Sequence, residues 1–372
     1  MHSVADNVSW IEALSPWPEE FGLGRMRRLL AELDDPQDAF RAIHVVGTNG
    51  KTTTTRMCAA LLAAAGRTVG AYTSPHVTGW AERVLVHGEP VDLETVLGRI
   101  RLAAESVGAT QFEALTAAAF AEFSAAGMDV AVVEAGLGGR LDATNVLGAP
   151  VVVLTNVDLE HTDVLGSTRE EIAREKLAVI RPGATAVLGE PEWESLAREA
   201  GAAAVVVTGR SNLALAVAAA ESFLGEQVDA SPAEETVVPG RLERVGDAPL
   251  EIWDGAHNLA GVGYVLARLP ARRYLVVASI LAGKDVDGML AALSALGDTL
   301  VATESTNTRA LTAGELAAKA GRFFARVERV EGAAKAVEKA RALAGPEGAV
   351  LVTGSLYLLA DLAAVRPQAP VP

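Results

Sequence analysis

Residues 43–54 combine the residue types that hold the phosphates of a nucleoside triphosphate. An apolar run ends in Gly47-Thr48-Asn49-Gly50-Lys51-Thr52, and a helical pattern follows over residues 56–65. In such a loop, glycines let backbone N–H groups surround phosphate oxygens, the lysine reaches the β- and γ-phosphates, and a threonine hydroxyl binds Mg²⁺. The loop is a short form, because Val45 stands where the standard P-loop has glycine. An ordinary glycine-rich turn is the alternative, which the flanking strand and helix patterns disfavour. The predicted ATP contacts in this loop are Gly47, Thr48, Asn49, Gly50, Lys51, Thr52 and Thr53.

Two further segments carry candidate metal ligands. Glu134 ends the apolar run 130–134 and is followed by glycines, so it is expected at the carboxyl edge of a parallel sheet, where it can reach a metal. A solvated carboxylate at a strand end is the alternative. His161 lies in a loop rich in oxygen and nitrogen ligands that follows the run 151–156. It is a second metal-ligand candidate, although a lone histidine is more often only hydrogen-bonded.

Two polar sites have weaker signals. Lys176 lies in a helical pattern that Thr168 and Glu171 open with a capping box, and the pattern alone predicts a surface lysine. Asp254-Gly-Ala-His-Asn258 lies between a predicted strand and helix. There Asp254 suits a ribose hydroxyl, His257 a phosphate or base, and Asn258 a base contact or a helix cap. A capping loop without ligand is the alternative.

Short β-branched runs alternate with helical stretches along the whole chain. This alternation predicts an α/β fold, with a P-loop parallel-sheet ATPase domain followed by a smaller Rossmann-like α/β domain. The pattern lapses between Leu224 and Gly240, which places the predicted domains at residues 1–235 and 240–372. The predicted strands are 42–46, 68–72, 130–134, 151–156, 185–188 and 204–208, then 250–253, 274–279, 299–303 and 349–353.

Composition limits the partners. The chain has 372 residues, is 50% hydrophobic and carries a net charge of −15, so a nucleic-acid backbone would be repelled. The one cysteine, Cys58, excludes an intrachain disulfide and is expected to be a small buried residue. No segment approaches 18 uncharged apolar residues, and residues 1–6 lack the features of a signal peptide. We therefore expect a cytoplasmic protein with no membrane or nucleic-acid partner. We also expect a monomer, a state that the composition does not determine.

Several motifs occur together in an order that points to one family. The most diagnostic is Glu134-Ala-Gly-Leu-Gly-Gly-Arg-Leu-Asp-Ala-Thr-Asn145, and the chain resembles the dihydrofolate synthase/folylpolyglutamate synthase branch of the Mur ligase superfamily from about Phe21 to Leu358. The other motifs are 47–51, Thr73-Ser-Pro-His76 with Glu82-Arg83, Phe112-Glu113 with 116–120, Glu175-Lys176, Pro239-Gly-Arg241, Asp254–Asn258 and Thr353-Gly-Ser-Leu-Tyr357.

The resemblance implies ATP-dependent amide ligation. A substrate carboxylate attacks the γ-phosphate to give an acyl phosphate, and the amine of L-glutamate then displaces phosphate. It implies catalytic roles for Lys51, Glu134, His161 and Lys176, with Lys176 carbamylated. It also implies Mg²⁺ ligation by Thr52, Ser74, Glu134 and His161, and ATP contacts from Arg241, Asp254, His257 and Asn258 of the second domain.

The implied acceptor is a pterin acid, either dihydropteroate or a reduced folate or both. Trp80 is a candidate to stack on the pterin, with packing as the alternative. Three features depart from the family pattern: Thr52-Thr53-Thr54 replaces Gly-Ser after the lysine, Glu160 replaces Asp before His161, and the chain is short. A ligase of a non-folate carboxylate and a nucleotide-switch module therefore remain alternatives. The implied substrate contacts are Pro75, His76, Trp80, Arg83, Phe112, Glu113, Ser355 and Tyr357.

Overall fold

The computed structural model describes residues 6–366. Residues 1–5 and 367–372 lie outside this described part. The outer limits of the predicted domains and most of the segment considered for a signal peptide fall on these residues. The chain forms two compact units. The first ends at Thr236 but lacks the short segment Val77–Gly79, which belongs to the second unit together with the chain from Val237 onward. Nothing in the sequence pattern indicates that this segment leaves the first unit.

The first unit contains an eight-stranded sheet with the order β4-β3-β2-β5-β1-β6-β7-β8. Six strands, from β2 to β8 in that order, run parallel, while β3 and β4 form an antiparallel edge. The strands are β1 (Arg41–Val46), β2 (Val69–Tyr72), β3 (Val84–Val86), β4 (Glu89–Pro90), β5 (Val130–Glu134), β6 (Val151–Leu154), β7 (Thr185–Leu188) and β8 (Ala204–Val207).

Helices cover both faces of this sheet. Successive residues of a strand point to opposite faces. Ile43 and Val45 accordingly share one buried cluster with Leu61, whereas Ala42 and Val46 belong to another. The helices are α1 (Asn7–Ala13), α2 (Gly24–Ala31), α3 (Lys51–Ala64), α4 (Leu93–Val107), α5 (Gln111–Ala125), α6 (Thr162–Leu165), α7 (Arg169–Leu177), α8 (Glu194–Glu199), α9 (Asn212–Leu224) and α10 (Ser231–Glu234), with 3₁₀ turns at Pro36–Asp38, Trp80–Arg83, Ala143–Val146 and Pro191–Trp193.

The second unit contains a six-stranded sheet with the order β13-β12-β11-β14-β10-β9, in which β9 is antiparallel to β10 and the other pairs are parallel. Its strands are β9 (Glu243–Asp247), β10 (Leu250–Trp253), β11 (Leu275–Ala278), β12 (Thr299–Ala302), β13 (Arg326–Arg329) and β14 (Ala349–Thr353). Its helices are α11 (Leu259–Leu266), α12 (Val286–Leu293), α13 (Ala313–Ala320), α14 (Ala333–Ala344) and α15 (Leu356–Val365), with a 3₁₀ turn at Ser294–Leu296.

These sheets confirm the predicted α/β fold class and each predicted strand to within two residues. Four strands were not predicted: β3 and β4 are very short, and β9 and β13 are polar and lie at sheet edges. The buried position predicted for Cys58 is confirmed, and burial raises the pKa of its thiol to about 12. No helix within residues 6–366 is long and apolar enough to cross a membrane.

The predicted capping box of α7 is confirmed: the Thr168 hydroxyl accepts from the Glu171 N–H, and the Glu171 carboxylate accepts from the Thr168 N–H. We expect Thr168→Ala to lower the free energy of unfolding by about 1 kcal/mol, the usual cost of losing such a cap. Thr312→Ala is the matched control, because Thr312 and Glu315 form the same box on α13. Denaturant titrations measure both variants. An unchanged midpoint for Thr168→Ala beside a lowered one for Thr312→Ala would contradict the role of this cap.

Candidate active site

The P-loop is the four-residue connection between β1 and α3. Gly47 and Gly50 have φ values of 146° and 83°, which favour glycine, and a Cβ on Gly47 would lie 1.9 Å from the Thr155 hydroxyl. The Asn49 carbonyl accepts from the Thr155 hydroxyl at 2.7 Å and from Asn156 Nδ2 at 3.0 Å, while the Asn49 N–H donates to Asn156 Oδ1 at 3.0 Å. Residues that follow β6 therefore fix the loop.

Lys51 begins α3 with its side chain folded back over the loop. Its ammonium donates to the carbonyls of Gly47 at 3.0 Å and Thr48 at 3.3 Å. An ammonium has three donors and no acceptor, so phosphate oxygens can replace these weak neutral partners. Thr53 is half-buried in the same first turn. The predicted phosphate contacts thus lie together at the helix N-terminus, where the helix dipole favours an anion.

Glu134 lies at the end of β5, beside the end of β1, and its carboxylate is buried. Oε1 accepts from the Thr52 hydroxyl at 3.1 Å, and Oε2 accepts from the Ser74 N–H at 3.0 Å. The Thr52 hydroxyl also lies 3.5 Å from the Ser74 carbonyl. The structure brings three of the four predicted metal ligands together, although Ser74 contacts the others through its backbone.

The fourth predicted metal ligand, His161, is exposed, whereas Thr52 and Glu134 are buried. His161 has a φ of 46° and immediately precedes the short helix α6. Within residues 6–366, no group of three or more histidine, cysteine, aspartate or glutamate residues is arranged to hold a metal ion. A magnesium ion held by hydroxyl, carboxylate and phosphate oxygens does not need such a group, since Mg²⁺ is usually bound by one or two carboxylates together with substrate phosphates and water.

Lys176 lies in the last turn of α7, and its side chain is only 1% exposed, so the surface position indicated by the helical pattern is wrong. Its ammonium donates to the Gly47 carbonyl at 3.0 Å and to Glu160 Oε1 at 3.2 Å. The pKa of Lys176 is lowered to about 8, mainly because burial disfavours the charge. Glu160 partly offsets this effect, and the nearby charge of Lys51 adds to it.

The glycine-rich segment 136–140 packs between two other predicted site residues. A Cβ on Gly136 would lie 2.6 Å from the Phe112 ring, and a Cβ on Gly139 would lie 2.6 Å from the Lys176 carbonyl. The Arg140 N–H donates to the Glu175 carbonyl at 3.0 Å, and its guanidinium pairs with the Glu175 carboxylate. Small residues are needed here because neighbouring backbone and ring atoms occupy the space that side chains would require.

Three of the predicted substrate contacts form one cluster near Ser74 in the chain. The rings of His76 and Trp80 lie 4.6 Å apart, Arg83 Nε donates to His76 Nδ1 at 3.0 Å, and the Arg83 guanidinium lies 4.5 Å from the Trp80 ring centroid. Burial and the charge of Arg83 lower the pKa of His76 to about 3, so its imidazole is neutral. Trp80 also donates to Glu12, and Pro75 is exposed.

The pair Phe112-Glu113 opens α5. The Phe112 ring lies 6.0 Å from the Tyr72 ring, and Glu113 completes a capping box with Thr110. The buried Glu113 carboxylate also pairs with Arg25 Nε at 2.6 Å. The spacing of Thr110 and Glu113 is that of a capping box and is visible in the sequence, whereas the ion pair with Arg25 is not. The substrate contact of Glu113 stays a prediction.

The second-unit residues form their own local network. The buried Asp254 carboxylate accepts from the N–H groups of Leu242 and Ala256, both at 2.8 Å. Burial raises the pKa of Asp254, while the charge of Arg241 opposes this.

Asn258 caps α11 by accepting from the Gly261 N–H at 2.7 Å, which confirms its capping interpretation. His257 Nδ1 lies 2.9 Å from the Gly255 carbonyl. At α15, Ser355 is the buried cap and Tyr357 is exposed.

Sequence reasoning missed the roles of Thr155 and Asn156, which were counted as the end of a strand. They instead fold over the P-loop. Their position in the sequence could have indicated these roles, because polar residues directly after a buried parallel strand lie at the same sheet edge as the P-loop. It also missed the buried Asp142, which accepts from the N–H groups of Leu137 and Thr144 and so shapes the segment after Glu134.

The fold and the site define a P-loop nucleotide-binding protein with a second α/β unit. Two family models match the chain: the Mur ligase middle domain over residues 45–235, and the Mur ligase glutamate ligase domain over residues 240–356. The dihydrofolate synthase/folylpolyglutamate synthase of Mycobacterium tuberculosis is 34% identical, with 88% of this chain and 84% of that protein covered. For the Escherichia coli protein of the same name the identity is 33%, with 96% and 94% covered.

Solved structures are similar over nearly the whole chain. M. tuberculosis folylpolyglutamate synthase complexed with ADP has a TM-score of 0.87 at 32% identity, covering 97% of this chain and 98% of that one. E. coli FolC with DHPP and ADP has a TM-score of 0.86 at 30% identity, with the same coverage. A bifunctional folylpolyglutamate synthase/dihydrofolate synthase with Mn, AMPPNP and L-glutamate has a TM-score of 0.86 at 29% identity, also with that coverage.

The chain therefore belongs to the Mur ligase family, in its dihydrofolate synthase/folylpolyglutamate synthase branch. This membership confirms the resemblance that the motifs indicated.

The close packing of Gly139 on α7 gives a testable prediction. Gly139→Ala forces backbone atoms of Glu175 and Lys176 to move, so we expect a loss of about 1–3 kcal/mol in the free energy of unfolding, as for other overpacked sites. Gly148→Ala is the matched control, because a Cβ there meets no atom within 4 Å. Its effect should stay within about 0.5 kcal/mol. Thermal and denaturant unfolding measure both, and equal stability of the two variants would be evidence against the packing constraint.

Proposed function

We propose that this chain catalyses the ATP-dependent addition of L-glutamate to a pterin-bearing acid, dihydropteroate or a reduced folate or both. One observation carries the proposal: Lys51 and Lys176 both donate to the Gly47 carbonyl, within a P-loop whose Thr52 bonds to the buried Glu134. Relatives with this family's name extend over nearly the whole chain, and solved neighbours were determined in complex with ADP, DHPP or L-glutamate.

The first step of the proposed reaction is phosphoryl transfer. A carboxylate oxygen of the acceptor forms a bond to the γ-phosphorus, the bond to the β,γ-bridging oxygen breaks, and ADP leaves. Such a transfer needs mainly positioning and neutralisation of charge. Lys51 and the backbone N–H groups of the first turn of α3 would supply both, because they lie at a helix N-terminus, which favours an anion. The N–H groups of Thr48 and Asn49 already donate to Asn156.

A divalent cation fits the oxygen groups near Lys51. The Thr52 hydroxyl and the Glu134 carboxylate are hard oxygen donors at 3.1 Å from each other, with the Ser74 carbonyl next to the hydroxyl. Thr52 and Glu134 would hold Mg²⁺, with Ser74 and His161 as further candidates, and the ion would neutralise phosphate charge when bound. A solved neighbour with Mn and AMPPNP supports a divalent ion beside the nucleotide.

The second step makes the amide. The glutamate ammonium loses one proton, and the resulting amine forms a bond to the carbonyl carbon of the acyl phosphate. Inorganic phosphate leaves with the electron pair of the broken C–O bond, and the nitrogen loses a second proton to solvent to give the neutral amide. The match of residues 240–356 to the glutamate ligase domain supports a role of the second unit in this step. The proposed ATP contacts of that unit are Arg241, Asp254, His257 and Asn258, and its proposed substrate contacts are Ser355 and Tyr357.

We further propose that Lys176 is carbamylated in the active enzyme. Its neutral amine forms a bond to the carbon of CO₂ and loses a proton, which leaves a carbamate with one negative charge. With a pKa of about 8, roughly a tenth of the amine is neutral at pH 7, against far less for an ordinary lysine. The carbamate would place a negative charge near Glu160, and a cation between them would balance both.

The carbamate hypothesis makes a pH-dependent prediction. Because only the neutral amine reacts, labelling of Lys176 by ¹³C-bicarbonate should rise as the pH passes upward through about 8 and fall below it. Carbon NMR of the labelled protein measures this signal, and Lys176→Ala is the control that must lack it. Lys176→Arg should be folded but inactive, since a guanidinium cannot form the carbamate. Full activity of Lys176→Arg would refute the modification.

The substrate assignment is tested by a panel assay. ADP release and glutamylated product are measured with ATP, L-glutamate and, in turn, dihydropteroate, tetrahydrofolate and a cell-wall muropeptide. We expect product with one or both pterin acids and none with the muropeptide.

Lys51→Ala is the control and should lose at least about 10²-fold in rate, the scale of a single electrostatic contact in such sites. Ligation of another acid with every folate inert would reject the acceptor but keep the ligase chemistry, and ADP release independent of any acceptor would favour a nucleotide switch.

The monomeric state and the cytoplasmic location stay predictions from the sequence. Size-exclusion chromatography with light scattering measures the first directly.

A further inference from the structure

Glu190 is a buried carboxylate that no sequence motif singled out. It is the second residue after β7 and opens the 3₁₀ turn Pro191–Trp193. Its position depends on Gly189, where a Cβ would lie 2.0 Å from the Thr155 carbonyl, so that β7 and the residues after β6 run in close contact. Glu190 thereby lies beside the loop that begins at Asn156.

Four donors surround the Glu190 carboxylate. Oε2 accepts from the Val157 N–H and from Trp193 Nε1, both at 2.8 Å. Oε1 accepts from Arg169 at 2.8 Å and also pairs with Arg210. A buried carboxylate with this many partners is firmly held, because charge-assisted hydrogen bonds are about twice as strong as neutral ones.

Glu190 and Arg169 together hold both backbone polar groups of Val157. The Val157 N–H donates to Glu190, and the Val157 carbonyl accepts from Arg169 Nε at 2.9 Å. The Val157 side chain is fully buried in the core. This peptide segment therefore has a fixed position and direction.

The residues on both sides of Val157 contact the P-loop or Lys176. Asn156 exchanges two hydrogen bonds with the backbone of Asn49, and the Asp158 N–H donates to the Thr48 hydroxyl at 3.1 Å. Glu160 accepts from Lys176. A shift of Val157 would thus move groups that touch the phosphate loop and the proposed carbamate lysine, although Glu190 touches neither.

We propose that Glu190 is a positioning residue for nucleotide binding and turnover, acting through Val157 on the loop Asn156–His161. It deepens the proposed function and rests on that function's ATP-binding part. Glu190→Gln tests it, because glutamine keeps the shape but replaces two acceptor oxygens by one acceptor and one donor. At least one of the four donors then loses its partner, and the loss of charge weakens the hold of Arg169.

For Glu190→Gln we expect about a tenfold loss of ADP affinity in the presence of Mg²⁺, within the range for residues that act on a ligand without touching it. The kcat should fall, the KM for the acceptor should stay within about twofold, and amide exchange should accelerate in the segment 156–161. Calorimetry with ADP, initial rates and hydrogen exchange measure these effects. Calorimetry does not depend on the acceptor, so a wrong acceptor assignment and a wrong role for Glu190 give different results.

Arg210→Gln is the matched control, since it removes one ion pair of Glu190 and leaves the bonds to Val157 intact. It should keep wild-type ADP affinity and exchange. Unchanged ADP affinity in folded Glu190→Gln, or an equal loss in Arg210→Gln, would overturn the proposal. Should Glu190→Gln fail to fold, Arg169→Lys serves instead: lysine keeps the charge near Glu190 but cannot also reach the Val157 carbonyl. Reduced ADP affinity in that variant supports the proposal, and wild-type affinity rejects it.

Discussion

Two ammonium groups donate to the same backbone oxygen, the carbonyl of Gly47, and the candidate site depends on this arrangement. Like charges at such a separation repel, which is one reason that the pKa of Lys176 is lowered. The repulsion is relieved when an anion binds between them or when one amine becomes neutral. The first change favours the binding of a polyphosphate, and the second gives the neutral amine that the proposed carbamylation of Lys176 requires. Residue 47 is glycine for a separate reason, because Thr155 occupies the space that a side chain at this position would need.

The parallel sheet supplies the groups that surround this oxygen. The central strands β2, β5, β1 and β6 are neighbours, and their carboxyl ends carry Ser74, Glu134, the P-loop and Thr155 in turn. Adjacent strands lie only about 5 Å apart, so groups at successive strand ends fall within hydrogen-bonding reach. Lys176 enters from α7, whose last turn packs on Gly139. The chemistry is therefore built from strand ends, and one helix completes it.

The sequence predicted the parts of this design that depend on local pattern. Apolar runs located the inner strands, and the glycine-lysine turn located the phosphate loop. It did not predict features that depend on distant partners. Lys176 looks like a surface residue in its helix, because its burial comes from segments near residues 47, 139 and 160. Glu113 was predicted to contact the substrate, and its ion pair with Arg25 could not be predicted because the two residues lie far apart in the sequence. The strand β13 was missed because its charged residues suit a sheet edge, where burial is slight.

Net charge creates a further constraint on this site. The chain carries −15 overall, yet ATP, a pterin acid and glutamate are all anions. At physiological salt, charges more than about 8 Å away are largely screened, so the attraction must come from nearby cations and N–H groups. Exposed arginines elsewhere contribute little, because most are paired with acidic neighbours at the surface. Half-buried Lys51 is screened less and supplies a positive charge at the phosphate loop. Buried Lys176 adds a second positive charge there only before it is carbamylated. Holding the loop Asn156–His161 in place matters for the same reason, since the position of Glu160 decides how much of the Lys176 charge is cancelled before an anion arrives.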